Sequence, residues 1–376
     1  MENRDDYNDS SSPFPPKSIF GKLDFSQAKI RLNKVASEKQ SIRDKPRHKE
    51  LLGNEEENDR LRDYTFQAGL DEWYDKLKHN TFESEFVPIK AEEAKAIVSH
   101  WYKRGNISDY IGDMPKSLLP LTERIEQAIT KNSWSDRGAF IKLSTRSPKD
   151  SETLLSKAKS RYKTRINTLR KQPSEREKKI LYCEELVAAA AVHSGHEAIS
   201  ILLDSWRVIQ DLESAFEEDG KPVYPLSVVV RKWDTRVTPQ TEFRAFIWGG
   251  KLTCIGQYWH FLHLPELKDI KHEIAEDCCR FYEDHLKESM PVPNAMLDLA
   301  WLGPGQVLLI EINPLQEGMG DVAVSTGLFD FENKKDKAVL TGKAPFEIRL
   351  RIEDEGGEKG YSKMGYELKK MIDQAE

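Results

Sequence analysis

The chain has 376 residues, a net charge of −6 and a pI near 6.0, a balance that argues against general nucleic-acid binding through a basic surface. Its mean hydropathy of −0.64 and hydrophobic content of 38% describe a soluble protein, long enough for two ordinary domains or one large one. Cys183, Cys254, Cys278 and Cys279 form no CxxC pair and no zinc-type spacing with histidine, which excludes a disulfide scaffold and a structural zinc site.

The opening MENRDDYNDSSSPFPP has no apolar stretch suited to a signal peptide, and the longest apolar run, LVAAAAV, is too short to span a bilayer. No membrane association and a cytoplasmic location are therefore expected. Residues 1–63 are polar, charged and proline-containing, and are expected to be a disordered tail, with SIFGKLDF (Ser18 to Phe25) as a segment able to dock. Order is expected from about Tyr64. Phe66, Leu70, Trp73, Tyr74 and Leu77 recur at helical spacing, as do Ala94, Ile97, Val98 and Trp101, and LTERIEQAITKN is a third amphipathic helix. Gly138 then opens a short strand, AFIKL.

Between Ser151 and Lys179 lies a basic stretch holding ten Lys and Arg residues. It reads as a solvated insertion or helix face, with contact to RNA or an acidic partner surface as the functional alternative; nucleic-acid binding is not expected except through residues 157–179. Ser174 is placed to cap a helix running through ILYCEELVAAAAVHSG with Gly195 as its stop, and a second helix, HEAISILLDSWRVIQDLESAFEE, follows. The period then changes to that of strands: LSVVVRKW, EFRAFIW and KLTCIGQYW, the last two joined by Gly249-Gly250, a tight-hairpin signal. A long helix is expected over about Pro265 to Ser289, and after it comes LDLAWLGPGQVLLIEIN, Leu297 to Asn313. Helices followed by antiparallel strands, a helix and a hairpin make an α+β arrangement rather than a doubly wound one.

That last hairpin carries chemistry. If the chain reverses at Pro304-Gly305, Asp298 and Glu311 lie directly opposite, and cross-strand partners hold their Cβ atoms about 4.5–5.5 Å apart. Two like charges so close are destabilising unless a cation lies between them or one is protonated. Asn313 shares the face of Glu311, and two carboxylates with a carboxamide are hard oxygen ligands suited to Mg²⁺. The sequence has no G-x-x-x-x-G-K-[ST] and no G-x-G-x-x-G loop. It offers instead Lys142 near the end of AFIKL, the segment STRSPKD with Arg146, Lys149 and Asp150, the strand end VVVRKW, and Arg244 in EFRAF.

Taken in order, these segments resemble the cell division cycle protein 123 (D123) family, an atypical branch of the ATP-grasp fold. FIKLSTRSPKDS is similar to that family's P-K-L-N-W-S-x-P-R-D segment. VVVRKW with TEFRAFIWGGKLTCIGQ resembles its V-L-R-K-W and E-F-R-C-F…L-x-x-I-S-Q strands, and LDLAWLGPGQVLLIEINPLQE its F-D-x-Y…V-W-L-I-D-F-N-P hairpin. The match runs from about Leu121 to Phe331. The resemblance implies an ATP-grasp-like fold with a nucleotide site between two subdomains: residues 64–225, carrying the basic insertion 151–179, and residues 226–376, carrying a hinge and the metal hairpin. It implies that Lys142, Arg146 and Arg244 face ATP phosphates and that Asp150 orders that side. Val230 and Arg231 would give hinge backbone contacts to adenine, with Trp233 and Gln257 also in the nucleotide site. Asp298, Glu311 and Asn313 would hold Mg²⁺.

The chain departs from the family at three places. S-Q-R-D becomes Gly256-Gln257-Tyr258-Trp259, N-W becomes Ser144-Thr145, and the second metal-strand Asp becomes Glu311. The function implied is an ATP-binding chaperone for assembly of translation initiation factor 2 through its gamma subunit. The alternative is an ATP-grasp ligase, forming an acyl-phosphate intermediate, with Tyr258, Trp259, His260 and His263 lining the acceptor side.

Overall fold

The computed structural model describes residues 62–103, 114–216, 221–315, 326–352 and residue 372. The tail expected over 1–63 falls, up to residue 61, outside the described residues, and SIFGKLDF with it.

Helix α1 (Leu70–Leu77) buries Leu70, Trp73 and Leu77, the stripe its spacing implies. Strand β1 (Ser84–Pro88), helix α2 (Ala91–Lys103), helix α3 (Leu119–Lys131) and strand β2 (Ala139–Leu143) follow. Helix α4 (Glu152–Thr168) begins at Ser151, whose hydroxyl accepts from the Leu154 amide, and helix α5 (Glu175–Ala189) begins with a full capping box between Ser174 and Glu177.

The basic stretch is helical, in keeping with the helix-face alternative. It is most of a helical pair whose inner face, Leu154, Leu155, Ala158 and Tyr162, belongs to the main core, where Tyr162 meets Tyr182 edge-on. On its outer face Arg161 and Arg165 pair with Glu185 at 2.8 and 3.0 Å, Arg165 also with Glu184, and Lys157 with Glu197.

Helix α5 stops at Ala189 instead of reaching Gly195, because Ala191–Val192 pairs with Ala139–Phe140 as a short strand, β3. The next helix is likewise broken into α6 (Gly195–Leu203) and α7 (Trp206–Ala215). The break falls where Ser205 caps α7 and the Asp204 carboxylate is drawn to the start of α4 by the Ser151 hydroxyl and the Thr153 amide. Gly195 has no left-handed backbone. Its missing side chain lets α6 approach α3, since a Cβ there would lie 2.3 Å from the Thr122 carbonyl oxygen.

Strand β4 (Ser227–Lys232) leads to β5 (Glu242–Trp248) and β6 (Lys251–Gln257), which turn through Gly249 and Gly250, both at positive φ. Helix α8 covers only Lys271–Phe281 of the long helix expected there; one π-helical and one 3₁₀ turn carry the chain on to Ser289. Strands β7 (Ala295–Trp301) and β8 (Val307–Pro314), helix α9 (Lys334–Leu340) and strand β9 (Glu347–Arg349) complete the described chain.

Two sheets result. One is antiparallel in the order β1-β4-β2-β3, and the other is mixed in the order β8-β7-β5-β6-β9, β9 alone being parallel to its neighbour. The architecture is α+β, as expected. The three consecutive strand runs do not share a sheet, however: β4 sits centrally in the first, and the chain crosses to the second between Lys232 and Glu242. Alternation sorts the faces. Ala139, Ile141, Leu143, Val228 and Val230 face a core built with α2, α3, α6 and α7, while Phe140, Lys142, Val229 and Arg231 point the other way. No helix among the described residues is long and apolar enough to cross a membrane. Replacing Gly195 with Ala forces α6 off α3 and is expected to lower stability by about 1–3 kcal/mol in chemical denaturation, the cost of overpacking a close contact.

Candidate functional site

Between the two sheets lies an open cleft of about 1020 Å³, its mouth included. One part is apolar, with Phe82, Phe140, Trp233 and Val237; the other carries Lys142, Lys149, Arg231, Glu242, Tyr258 and Glu311. Few polar groups on an apolar wall is the usual make-up of a small-ligand site.

The floor is one row of the second sheet. Gly256, Arg244, Asp298 and Glu311 are successive Cα partners across β6, β5, β7 and β8. Asp298 and Glu311 therefore stand opposite, as the hairpin symmetry requires, but by an unexpected route. Nearer the turn, Trp301 faces Val307 and Leu299 faces Leu309, one residue out of that phase, and a bulge at Ile310 restores it.

The electrostatic problem of two adjacent carboxylates is solved by one cation each. Lys142 reaches across from the first sheet to place Nζ 2.7 Å from Glu311 Oε1, with side chains only 2% and 11% exposed. Arg244 grips Asp298 through both oxygens at 2.8 and 2.9 Å, and Asn313 Nδ2 donates to Asp298 Oδ2 at 3.1 Å. Burial alone works to raise the Glu311 carboxyl, but the charges of Lys142 and Lys149 outweigh it and hold it down at about 2. Burial also works against the Arg244 charge, yet Asp298 keeps it above its ordinary value.

The residues at this point fit a divalent cation. Two carboxylates and a carboxamide are gathered on one face, and Glu311 is held ionised by the lysines beside it. Among the described residues no group of three or more His, Cys, Asp and Glu forms a ready-made protein cage. A metal here would complete its shell with ligands from outside the chain, as Mg²⁺ characteristically does.

The other expected residues are placed as follows. Arg231 and Trp233 line the cleft, but Val230 is wholly buried in the opposite core. Both Val230 and Arg231 are paired on two sides, with Glu85 and Ile141 and with Ser84 and Phe140, so their backbone groups are committed to the sheet. At the strand end Lys232, Trp233 and Asp234 also line the cleft, the Lys232 amide donating to the Glu83 carbonyl at 2.8 Å. Arg146 turns away to α7, bonding Asp211, which also accepts from Thr145 Oγ1 at 2.5 Å. Asp150 accepts from the Ser205 hydroxyl at 2.5 Å and the Arg207 amide at 3.1 Å, fixing the loop after β2 against the start of α7. Gln257, 1% exposed, gives its amide to the carbonyls of Trp259 and Leu262 at 2.7 and 2.8 Å and braces the chain beneath the cleft.

Further residues complete the site. Lys149 donates to the Tyr258 hydroxyl, and the Tyr258 ring lies between Lys149 and Arg244, whose cationic centres are 4.9 and 4.8 Å from its centroid. Trp259 Nε1 donates to Glu242 at 2.8 Å; burial pushes the Glu242 carboxyl up to about 7 against the pull of Lys149. Glu242 was legible by parity, two residues before Arg244 on the same strand face. Asp71, in the first turn of α1, bonds Ser144 near Lys142 and is pushed up to about 6 by burial. Nothing in the sequence links it to the cleft.

Comparison with known proteins finds partial matches. The D123 family profile matches residues 190–367. Over 101 residues the chain is 27% identical to a translation initiation factor eIF2 assembly protein from Xenopus laevis, covering 27% of this chain and 30% of that protein. A protein of the same description from Danio rerio is 27% identical over 114 residues, 29% of this chain and 32% of its own length. The matched stretch thus spans under a third of these curated relatives. C-terminally truncated Cdc123 from Schizosaccharomyces pombe superposes with a TM-score of 0.54 at 18% identity, covering 77% of this chain and 97% of that one. A second Cdc123 structure from the same organism gives 0.51 at 15%, covering 78% and 98%. These structures share the fold.

The Lys142–Glu311 pair has two measurable consequences in the metal-free protein. Glu311→Gln leaves a buried ammonium without its counter-charge and is expected to cost about 3–5 kcal/mol at neutral pH in denaturant titrations. The Glu311 carboxyl is depressed from 4.5 to about 2, so its contribution is complete above about pH 4.5 and is lost as pH falls through about 2. The wild type should lose stability more steeply than Glu311→Gln across that window, as followed by tryptophan fluorescence.

Proposed function

From the premise that residues 190–367 belong to the D123 family, we propose that this chain binds ATP with Mg²⁺ and acts as an assembly chaperone for translation initiation factor eIF2, engaging its gamma subunit in the cytoplasm. The relatives named as eIF2 assembly proteins support the biological role, and the chemistry of the cleft supports the ligand.

One observation carries the ligand assignment: the Lys142–Glu311 contact joining the two sheets at the charged end of an otherwise apolar cleft. The apolar wall suits a purine ring, and Lys142 and Lys149 suit phosphate oxygens. Asp298, Glu311 and Asn313 would hold the metal, which would neutralise phosphate charge. Lys142 serves both states: it partners Glu311 in the free cleft and is within reach of a phosphate placed there. Arg244 keeps the Asp298 carboxylate oriented along the sheet row. Nothing in this arrangement requires ATP to be consumed.

Calorimetric titration with ATP and Mg²⁺ is expected to show at least tenfold weaker binding by Lys142→Ala and by Asp298→Asn than by the wild type. Unchanged binding in both variants would remove the nucleotide from this cleft. Affinity capture from a eukaryotic lysate with ATP and Mg²⁺ should recover the eIF2 gamma subunit with the wild type and less of it with Asp298→Asn. Stoichiometric ADP release with a carboxylate and an amine, and no gamma subunit captured, would favour the ligase reading.

A further inference from the structure

Arg231 is a buried cation with no carboxylate in direct contact among the described residues, although the Glu311 charge acts on it from a distance. It is 2% exposed, and its guanidinium contacts only neutral groups: Nη1 donates to the Ile310 carbonyl at 2.7 Å, Nη2 to Thr81 Oγ1 at 2.6 Å, and Nε to Ser84 Oγ at 3.2 Å, with the Phe82 ring 5.2 Å away. Burial draws its pKa down to about 10. A guanidinium kept under those conditions is costly unless its donors do something specific.

Its acceptors are specific. Ile310 is the extra residue of the β8 bulge, and a bulge leaves a backbone group out of the ladder. Arg231 satisfies that carbonyl from the opposite sheet. The Thr81 hydroxyl that it also holds donates in turn to the Leu309 carbonyl at 2.5 Å, while the Leu309 amide donates to the Asn80 carbonyl at 2.8 Å. The bulge is therefore clamped on its outer edge.

The bulge decides which way Glu311 points. Without it, the register running from the turn would set Ile310 opposite Asp298 and Glu311 opposite Leu297, whose side chain lies in the main core. A one-residue slip moves every following side chain to the other face.

We propose that Arg231 is a positioning residue that pins the Ile310 bulge and thereby holds Glu311 and Asn313 in phase with Asp298 as a cation-ligating set. The assignment of that set rests on the nucleotide–metal reading above; the clamp on the bulge does not.

Two measurements separate these. In hydrogen exchange without any ligand, Arg231→Met is expected to speed exchange of the segment 307–314 at least tenfold while β2 and α6 keep wild-type protection. Arg231→Lys, which retains one donor head, should fall between. In nucleotide titrations, Arg231→Met should cut the affinity gain conferred by Mg²⁺ about tenfold, with Arg231→Lys recovering part of the gain. Wild-type protection of 307–314 in Arg231→Met would overturn the clamp, as would uniform loss of protection with no recovery in Arg231→Lys. A localised exchange effect with equal losses of affinity with and without Mg²⁺ would overturn the link to the cation. A wild type that binds no nucleotide would defeat the functional reading and leave the exchange result to decide the clamp.

Discussion

Lys142 of one sheet and Glu311 of the other form a buried ion pair across the gap between them. Neither charge would be tolerated alone at that depth. Each belongs to a different sheet, so the pair can form only when the whole fold has brought β2 and β8 together. Around it the other charged groups take consistent positions: Arg244 neutralises Asp298, Asn313 braces the same carboxylate, and Arg231 secures the strand that carries Glu311. In the cleft Glu242, Asp298 and Glu311 each already have a donor. A ligand entering it must supply charges of its own to replace those contacts, and a triphosphate with a divalent cation brings both signs.

Much of this was legible in the sequence because it depends on local periodicity. The face shared by Glu311 and Asn313 follows from strand alternation, and the reversal at Gly303-Pro304-Gly305 sets β7 against β8. The caps at Ser174 and the Gly249-Gly250 hairpin follow from turn and cap chemistry. The parts that were not legible depend on contacts distant in sequence. That β4 leaves β5 and β6 for another sheet is decided by pairing with Ser84–Pro88, a strand with no strong alternating signal of its own. The turn of Arg146 away from the cleft is decided by Asp211, on a helix whose spacing records only its apolar stripe. The bulge at Ile310 is invisible to hairpin symmetry because it compensates a turn one residue out of phase.

The departures from the family pattern acquire a physical meaning. Tyr258 and Trp259 stand where the resembling S-Q-R-D pattern has Arg and Asp. The Tyr258 hydroxyl accepts from Lys149, its ring lies 4.8 Å from the Arg244 guanidinium, and the Trp259 indole donates to Glu242. Glu311 in place of Asp is longer by one methylene, which suits a carboxylate that must meet Lys142 across the gap between sheets.

The most direct measurement is a crystal structure with a non-hydrolysable ATP analogue and Mg²⁺. The expected result is an ion bound between Asp298 and Glu311, with the Lys142 ammonium moved from Glu311 onto a phosphate oxygen. An analogue bound elsewhere, with the Lys142–Glu311 contact intact and no ion on the hairpin, would contradict the assignment of this cleft as the nucleotide and metal site.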